Sequence, residues 1–500
     1  MEYPFDCGMD QIHPRIMIRI LNIDSVYIEI DCDMSIAKEL SMFFTFKVPN
    51  SEYNPAFRKK RWDGKIRLFS LLTHKLYKGL LPYVLAFAKD RGYKVEYEPV
   101  LLPDDRTIKF PEVFSNGSVI TPHDYQKEAV EHALYNKRCV LISPTGSGKS
   151  LIIYFLLLEL VKRISKKILI VVPTTGLISQ MKSDFEDYAN TKEISKDIHL
   201  IYSGQDKHTN AKVVISTWQS LYDQPEEFFS QFEAIIGDEG HVYKAKSLTK
   251  ILTKLKTCDY RIATTGTLDG TQVHKLIIEG LFGTVYQVAS TKELIDKQVL
   301  AKLTIDCLLL RYSDSDITKI KRAKYIDEID WLVTNDKRNQ FIADLANSVP
   351  GNVLVLFNFV EKHGIPLYQR ISKIAKKSSY LICGQTEIEQ REEIRKIVDT
   401  GNNNVLVASF GTCATGINIK NINAIVFASP SKSVIRVLQS IGRGLRKSDT
   451  KDKVTVYDLG DDLSWKSYRN HALRHLDERL TIYTNESFQF NKIKINLGEC

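Results

Sequence analysis

The chain has 500 residues, which is too long for one hydrophobic core and predicts three or four domains. With 26% charged and 43% hydrophobic residues, its composition excludes bulk disorder and is typical of soluble globular proteins. The net charge of +9 favours a polyanionic partner, although so modest an excess does not identify one by itself.

Cysteine use and hydropathy predict a cytoplasmic protein. The eight cysteines are scattered, with neither a CxxC pair nor a spacing suited to zinc, as expected for reduced thiols. The N-terminus "MEYPFDCGMD" lacks the apolar core of a signal peptide. The longest apolar run, "LIIYFLLLELV", is short and contains Glu159, so we expect no membrane-spanning segment.

Residues 1–115 differ in pattern from the rest of the chain and predict a small α+β domain. The segments "RIMIRI" and "VYIEI" alternate in polarity as strands do, and a basic, aromatic stretch "YNPAFRKKRWDGKIRLF" follows. Basic side chains beside an aromatic ring suit the backbone of DNA. The candidates for this contact are Arg58, Lys59, Lys60, Arg61, Trp62, Lys65 and Arg67. The alternative interpretation is a solvated charged face.

Residues 116–298 alternate apolar, β-branched runs with helical stretches. This alternation predicts a parallel sheet that crossover helices bury on both faces. The predicted strands begin at Cys139, Lys167, Lys212, Glu233 and Arg261.

The segment "SPTGSGKS", residues 143–150, lies between the first of these strands and the helical "LIIYFLLLEL". A phosphate loop needs this context, because backbone N–H groups and the helix N-terminus then surround the phosphates. Lys149 would reach the β- and γ-phosphate oxygens, and Ser150 would ligate Mg²⁺. Ser143 replaces the glycine of the strict pattern. The residues that would line the nucleotide are intact: Thr145, Gly146, Ser147, Gly148, Lys149 and Ser150.

An acidic pair follows another predicted strand in "AIIGDEGH". Asp238 would belong to the Mg²⁺ shell, and Glu239 would be the base that orients and polarises the attacking water. An Asp–Glu pair after an apolar strand is common by chance. The phosphate loop about ninety residues upstream is what indicates that this pair belongs to an ATP site.

Residues 299–464 repeat the strand–helix pattern and predict a second parallel-sheet domain. Its strands are expected to begin at Asn352, Ser378, Asn404, Ala424 and Lys453. Residues 465–500 carry apolar and basic residues at helical spacing, which predicts a C-terminal helical extension packed on this domain. The fold class is therefore α/β, with two tandem parallel-sheet domains behind a small α+β domain.

Near the end of the second domain, "LQSIGRGLRK" holds Arg443 and Arg446 three residues apart. On a helix both would lie on one side, so their guanidinium groups could reach one anion. The alternative is a basic helix face in contact with water.

Together these motifs resemble, in kind and in order, the series of superfamily 2 helicases. The series continues with "STWQ" at Ser216, "TTGT" at Thr264, "CGQTEIEQREEI" at Cys383, "ASFGTCATGINI" at Ala408 and the Q-x-x-G-R-x-x-R match at Gln439. Within the superfamily the chain is most similar to phage UvsW-type recombination helicases and to the related XPB-like and RecG-like DNA translocases. The N-terminal "NPAFRKKRWDGKIRLF" and "LLPYVL" extend the resemblance to essentially the full length. Two features depart from it: Gly240 stands where the DEAH or DECH pattern has Ala or Cys, and the long accessory modules of RecG-like and XPB-like enzymes are absent.

The resemblance implies roles for further residues. The two sheets would be RecA-like motor domains that bind ATP between them, with Arg443 and Arg446 as arginine fingers on the γ-phosphate. Gln126, in "HDYQKEAV", would read the adenine edge, and Gly416 would also contact the nucleotide. Residues that couple hydrolysis to movement would be His241, Thr265, Thr267 and Gln439. Contacts with the nucleic-acid backbone would come from Thr174, Thr217, Gln219, Gly384, Thr386 and Thr415.

The function that the resemblance implies is an ATP-dependent DNA helicase or translocase using ATP and Mg²⁺. It would move along single-stranded DNA and remodel branched, forked or duplex DNA in recombination and repair, and it would also act on RNA–DNA hybrids. The location would be the cytoplasm, that of the host if the gene belongs to a phage. Two alternatives stay open: an RNA helicase, and an ATP-gated nucleic-acid clamp that does not travel. A nuclease is disfavoured because there is no carboxylate cluster beyond Asp238 and Glu239.

Overall fold

The computed structural model describes residues 17–49, 51–98, 107–202, 204–240, 246–268, 272–412, 419, 421–430, 437, 440–442, 445, 451 and 453–498. These residues form three large sheets, of four, seven and seven strands. The sheets confirm the α/β fold class that was predicted from the sequence. None of the described helices combines the length and apolar character needed to cross a bilayer.

The N-terminal domain is built on a four-stranded sheet in the order β5-β2-β1-β6. Its central pair is antiparallel, and β6 joins β1 in parallel. Helices α1 and α3 cover the sheet through a core that includes Ile28, Leu40 and Phe87. The strands are β1 (Met17–Asn22), β2 (Tyr27–Asp31), β3 (Thr45–Lys47), β4 (Lys65–Arg67), β5 (Lys75–Tyr77) and β6 (Lys94–Tyr97), and the helices are α1 (Met34–Phe43), α2 (Pro55–Arg58) and α3 (Leu81–Arg91).

A two-stranded antiparallel hairpin, β7 (Val113–Ser115) and β8 (Ser118–Ile120), precedes the first large sheet. Lobe 1, from α4 to α11, contains seven strands in the order β11-β12-β10-β13-β14-β9-β15, and every pairing is parallel. Its strands are β9 (Arg138–Ile142), β10 (Lys167–Val172), β11 (Ile198–Ile201), β12 (Val213–Thr217), β13 (Phe232–Gly237), β14 (Tyr260–Thr265) and β15 (Val285–Gln287).

The helices of lobe 1 cover both faces of its sheet. They are α4 (Asp124–Asn136), α5 (Lys149–Arg163), α6 (Thr175–Ala189), α7 (Trp218–Leu221), α8 (Glu226–Phe229), α9 (Lys246–Lys254), α10 (Gln272–Leu281) and α11 (Thr291–Asp296). Helix α4 begins with a reciprocal cap, in which His123 and Gln126 satisfy backbone groups of the first turn. Because the strands are parallel, the loops after β9, β13 and β14 meet at one edge of the sheet.

Lobe 2, from β16 to β22, contains a second parallel sheet in the order β18-β19-β17-β20-β21-β16-β22. Its strands are β16 (Lys302–Arg311), β17 (Val353–Phe357), β18 (Ser378–Ile382), β19 (Asn404–Ser409), β20 (Ala424–Phe427), β21 (Lys453–Asp462) and β22 (Phe490–Asn496). Its helices are α12 (Asp314–Ile320), α13 (Tyr325–Thr334), α14 (Asp336–Ser348), α15 (Ile365–Ile374), α16 (Ile388–Thr400) and α17 (His471–Asn485).

The C-terminal segment, expected to be helical, contains α17 and then the edge strand β22, which pairs with β16. Helix α17 is tied to the sheet by Arg479, which donates to both carboxylate oxygens of buried Asp458. Strand β22 was not predicted, and its local signal is the alternation of polar and apolar residues in "QFNKIKIN".

The N-terminal domain packs closely against lobe 1. The Tyr83 hydroxyl donates to Glu279 Oε2 over 2.7 Å, and Arg138 donates to the Ser25 carbonyl over 2.7 Å. At Gly79 the backbones are so near that a Cβ would lie 2.0 Å from the Glu279 carbonyl oxygen. This contact therefore requires glycine, and it holds the N-terminal domain against the domain that carries the phosphate loop.

Candidate active site

The loop after β9 has the geometry that a phosphate site needs. Gly146 and Gly148 have φ angles of 88° and 81°, which side chains other than glycine rarely adopt. Ser143 is buried, and its hydroxyl lies 2.5 Å from the Ser147 hydroxyl, which itself donates to the Pro144 carbonyl over 2.6 Å. The serine that departs from the strict motif is therefore part of the internal bonding of the loop.

Two residues of helix α4 hold this loop in place by hydrogen bonds. Gln126 Nε2 and the Tyr125 hydroxyl both donate to the Ser147 carbonyl, over 2.9 Å and 3.0 Å. Gln126 Oε1 accepts from the His123 backbone N–H, so both ends of its amide are used within the protein. Gln126 is only 4% exposed, and it supports the loop in this structure, while its contact with adenine remains a prediction.

Lys149 and Glu239 face each other across the site. Lys149 Nζ lies 3.9 Å from Glu239 Oε1 and donates to the Ser143 carbonyl over 3.2 Å. The Glu239 backbone has φ of 53°, a left-handed conformation that costs a non-glycine residue on the order of 1–3 kcal/mol. The surrounding structure thus holds the predicted base in a strained position close to the predicted phosphate-binding lysine.

Asp238 lies in the same cluster. Its Oδ1 accepts a hydrogen bond of 2.8 Å from Thr264 at the end of β14. Burial and the neighbouring Glu239 charge raise the pKa of Asp238 to about 6, while Lys149 and the Thr264 hydrogen bond lower it. The carboxyl therefore takes up a proton at a higher pH than an exposed aspartate does.

The "TTGT" segment lies between the two motifs because β14 lies between β13 and β9. A Cβ on Gly266 would be 3.4 Å from Lys149 Nζ and 3.6 Å from Thr145 Oγ1. Thr265, predicted to couple hydrolysis to movement, donates to the Thr267 carbonyl over 2.7 Å. The Thr264 bond to Asp238 was not predicted, although the same motif contained that residue.

Gly240, which stands where the family pattern has Ala or Cys, is buried in a tightly packed position. A Cβ there would lie 3.2 Å from the Ala263 Cβ, closer than most side chains tolerate. The next residue, His241, lies outside the described residues.

The donors near the phosphate loop suit Mg²⁺. Ser150 and Asp238 offer hydroxyl and carboxylate oxygens, which a small, hard cation prefers, and Mg²⁺ takes its remaining ligands from water and phosphate. Among the described residues, no group of three or more His, Cys, Asp or Glu could hold a metal by itself. The Ser150 hydroxyl lies 2.7 Å from the Tyr188 hydroxyl, a partner that sequence reasoning did not find.

Lobe 2 contacts this site at Gly442. A Cβ on Gly442 would lie 2.6 Å from the Thr145 Cβ, so the described part of the predicted arginine motif touches the phosphate loop. Besides His241, five predicted residues lie outside the described part of the chain: Thr415, Gly416, Gln439, Arg443 and Arg446.

The predicted nucleic-acid contacts of the motor lie at the ends of parallel strands. Thr174 is the N-cap residue of α6 and makes no side-chain capping bond, and exposed Gln219 follows β12. Thr217 is buried and bonds to Ser220, so its side chain supports the turn. In lobe 2, Gly384 is exposed and a Cβ there would meet nothing within 4 Å, while the Thr386 hydroxyl accepts from the Cys383 N–H.

The basic N-terminal stretch forms α2 and the turn that follows it. Trp62 is partly buried and donates to the Lys65 carbonyl over 2.8 Å, which fixes the turn. Arg67 pairs with Asp63 over 2.5 Å. The other cationic side chains of the stretch are all exposed: Arg58, Lys59, Lys60, Arg61 and Lys65.

Comparisons with known proteins agree with this architecture. Residues 17–98 match the family described as DNA helicase UvsW, N-terminal, residues 119–270 match Type III restriction enzyme, res subunit, and residues 336–448 match the helicase conserved C-terminal domain. The chain is 34% identical to the ATP-dependent DNA helicase uvsW of Enterobacteria phage T4, over 95% of this chain and 98% of that protein. It is 24% identical to the DNA 3′-5′ translocase XPB2 of Sulfurisphaera tokodaii, over 81% of this chain and 93% of that one.

The solved structures lead to the same family. The crystal structure of T4 UvsW matches with a TM-score of 0.51 and 33% identity, covering 96% of this chain and 99% of that one. The identity and the near-complete coverage of both chains show more than a shared fold. The chain therefore belongs to the UvsW family of DNA helicases within helicase superfamily 2.

Proposed function

We propose that this protein is an ATP-driven DNA motor that remodels branched DNA in recombination and repair. The observation that carries the proposal is the composite site in which Lys149 and Glu239 lie 3.9 Å apart on lobe 1 while Gly442 of lobe 2 packs on Thr145. A site made from two lobes changes when the lobes move, which is how hydrolysis can drive a step along a strand.

In this mechanism each residue of lobe 1 has a distinct task. The phosphate loop and Lys149 hold the β- and γ-phosphates, and Glu239 accepts a proton from the water that attacks the γ-phosphorus as the bond to ADP breaks. Ser150 and Asp238 would hold Mg²⁺, which neutralises charge on the phosphates. Arg443 and Arg446 complete the site from lobe 2 by stabilising the transferred phosphoryl group.

The DNA contacts divide between the motor and the N-terminal domain. We propose that Thr174, Thr217, Gln219, Gly384 and Thr386, with Thr415, lie along the backbone of a single strand, where contacts do not depend on the base sequence. The exposed cationic stretch from Arg58 to Lys65 would hold duplex or junction DNA. We also propose RNA–DNA hybrids as substrates and the host cytoplasm as the location.

The proposed domain boundaries are residues 1–115, 116–298, 299–464 and 465–500. The three large sheets support this division, since each of the first three segments holds one of them and the fourth adds α17 and β22 to the sheet of lobe 2. The boundary at 115/116 falls in the turn between β7 and β8 of the connecting hairpin.

The decisive experiment measures ATP hydrolysis in parallel on single-stranded DNA, duplex, fork, four-way junction and RNA. We expect the largest stimulation by branched DNA and displacement of a strand in the same reactions. Stimulation without any strand or triplex displacement would instead identify an ATP-gated clamp, and preferential stimulation by RNA would identify an RNA helicase.

Two variants test the ATP site directly. Lys149→Ala should abolish turnover while the fold persists, because the loop keeps its glycines and loses only the charge that faces the phosphates. Glu239→Gln should bind ATP without hydrolysing it. Substantial hydrolysis by either purified variant would place the ATP site elsewhere.

A further inference from the structure

Tyr188 lies where helix α6 meets the proposed metal site. Its hydroxyl oxygen is 2.7 Å from Ser150 Oγ, the hydroxyl that would ligate Mg²⁺. Tyr188 is the penultimate residue of α6, and neither the phosphate-loop motif nor the acidic motif includes it. The inference below rests on the proposed ATP site, because it concerns the ligand that Ser150 would supply there.

The position of the Tyr188 ring is determined by packing. Its centroid lies 5.5 Å from that of Tyr154 on α5, and Tyr154 in turn lies 5.8 Å from Phe185 on α6. The adjacent Asp187 accepts a hydrogen bond of 2.8 Å from the Asn116 N–H of the β7–β8 hairpin. The C-terminal end of α6 is thus held by ring packing against α5 and by a hydrogen bond from the hairpin, and these contacts place the Tyr188 hydroxyl next to Ser150.

A serine hydroxyl has one proton and two lone pairs, and these numbers limit what Ser150 can do. If one lone pair is directed at Mg²⁺, the proton must be donated away from the metal. Tyr188 Oη is an acceptor at hydrogen-bond distance, and its own proton is then available to another group. We propose that Tyr188 is a positioning residue, which accepts the Ser150 proton and so directs the Ser150 lone pair at Mg²⁺.

The same residue connects the metal site to the predicted DNA track. Helix α6 begins after Thr174, a predicted contact with the DNA backbone, and its 15 residues span roughly 22 Å at 1.5 Å per residue. One helix therefore carries Tyr188 near its C-terminal end and Thr174 at its N-terminal cap. Binding of the Mg²⁺–nucleotide complex at Ser150 and binding of DNA at Thr174 would both act on helix α6. Each ligand would then change the affinity of the protein for the other, and by the same factor.

The test compares Tyr188→Phe with Tyr154→Phe. Both keep the aromatic packing between α5 and α6, and only the first removes the hydroxyl that faces Ser150. Binding of a fluorescent, non-hydrolysable ATP analogue is titrated with Mg²⁺ in each protein. We expect the Mg²⁺ concentration at half-saturation to rise about fivefold in Tyr188→Phe, the usual effect of one hydrogen bond, and to stay unchanged in Tyr154→Phe. Binding of the analogue in EDTA should be equal in all three proteins.

A second measurement concerns the connection along α6. In the wild type, Mg²⁺ with the analogue should change the affinity for a single-stranded oligonucleotide, and Tyr188→Phe should reduce that change, with metal-free DNA binding unaffected. A loss of metal affinity with the full change in DNA affinity preserved would overturn the proposed link through α6.

A double-mutant cycle with Ser150→Ala separates a direct effect from altered packing. In the Ser150→Ala background, Tyr188→Phe should have no further effect on Mg²⁺ dependence, because the proton to be accepted is gone. Equal Mg²⁺ dependence in wild type and Tyr188→Phe, or an undiminished effect in the Ser150→Ala background, would overturn the inference. Failure of the wild type to bind the Mg²⁺–nucleotide complex at all would instead refute the proposed ATP site.

Discussion

Gly442 packs directly on Thr145, so that a Cβ at position 442 would lie 2.6 Å from the Thr145 Cβ. These residues belong to different lobes and to two motifs that the sequence places almost three hundred positions apart. Their contact gives a physical reason for the glycine that precedes Arg443. A side chain here would separate lobe 2 from the phosphate loop.

We predict that Gly442→Ala impairs ATP turnover more than ATP binding. The added methyl group must displace Thr145 or the backbone of lobe 2, so closure of the lobes over the nucleotide becomes less favourable. Steady-state hydrolysis should fall at least tenfold while the affinity for nucleotide on lobe 1 changes little. Wild-type turnover by Gly442→Ala would show that this contact is absent during catalysis.

We predict that Arg446→Ala lowers turnover by a factor of about 10³, as expected for an arginine that stabilises transition-state charge. The affinity for ATP should change much less, because the contact is made chiefly in the transition state. Arg443→Ala should be nearly as damaging. Single-turnover hydrolysis and nucleotide binding measure the two effects separately. Wild-type hydrolysis rates in both variants would show that neither arginine takes part in hydrolysis.

The raised pKa of Asp238 predicts how metal-dependent nucleotide binding varies with pH. Burial, together with the Glu239 charge, raises this pKa to about 6, so the protonated form becomes dominant as pH falls below that value. Mg²⁺ needs the ionised form. Affinity for the Mg²⁺–nucleotide complex should be constant above pH 7 and fall by up to about tenfold per pH unit below pH 6.

Binding of the nucleotide in EDTA is the control for the pH series, because it does not need the Asp238 carboxylate. The Mg²⁺-dependent part of the affinity is the relevant quantity. If that part were the same at pH 5 and pH 7, Asp238 would not be the group that limits metal binding.

The exposed basic stretch predicts a particular salt dependence. Each phosphate contact that is lost should flatten the plot of log affinity against log salt by about 0.9 on duplex DNA. Replacing Lys59, Lys60 and Arg61 by Ala should reduce the slope by about 2 to 3 units, for all sequences alike. Fluorescence anisotropy on a four-way junction measures it, and hydrolysis without DNA should be retained.

The matched control removes the same charge elsewhere on the N-terminal domain. Lys38, Lys89 and Lys94 are also exposed, and their combined replacement by Ala should leave the slope nearly unchanged. Equal slopes for the two triple variants would mean that only net charge matters and that the stretch from Arg58 to Lys65 is a solvated face.

The contact between the N-terminal domain and lobe 1 predicts a separation of hydrolysis from unwinding. Tyr83→Phe removes the hydrogen bond to Glu279, which is 2% exposed, and should weaken the contact by about 1 kcal/mol. DNA-independent hydrolysis should persist while junction unwinding falls. Tyr93→Phe, which removes a bond to Glu39 inside the N-terminal domain, is the control. Hydrogen exchange in α3 and α10 should increase only in Tyr83→Phe.

Most of the fold could be predicted from the sequence, because its strands are apolar runs with clear ends. All ten strands predicted for the two parallel sheets are present within a residue or two of their predicted starts. Four further strands were not predicted: β11, β15, β16 and β22. Strands β11, β15 and β22 contain polar residues or are short, and they lie at or beside sheet edges, where burial imposes a weaker apolar pattern.

The sequence by itself determined which chemistry lobe 1 can perform. The phosphate loop and the acidic pair are local patterns, because a strand, a glycine turn and a helix suffice to present them. Pairing of β9 with β14 and of β14 with β13 then brings Lys149, Asp238 and Glu239 together. Parallel order in a sheet was the only tertiary assumption that this required.

The tertiary structure alone decided which other side chains serve that site. Tyr188 reaches Ser150 through the packing of two helices, and Gly442 reaches Thr145 through the contact between lobes. Gln126 was predicted to read adenine, and the structure adds a second role that was not predicted, since its amide also supports the loop at Ser147. No local sequence pattern predicts these contacts, because each depends on how two separate parts of the folded chain pack against each other.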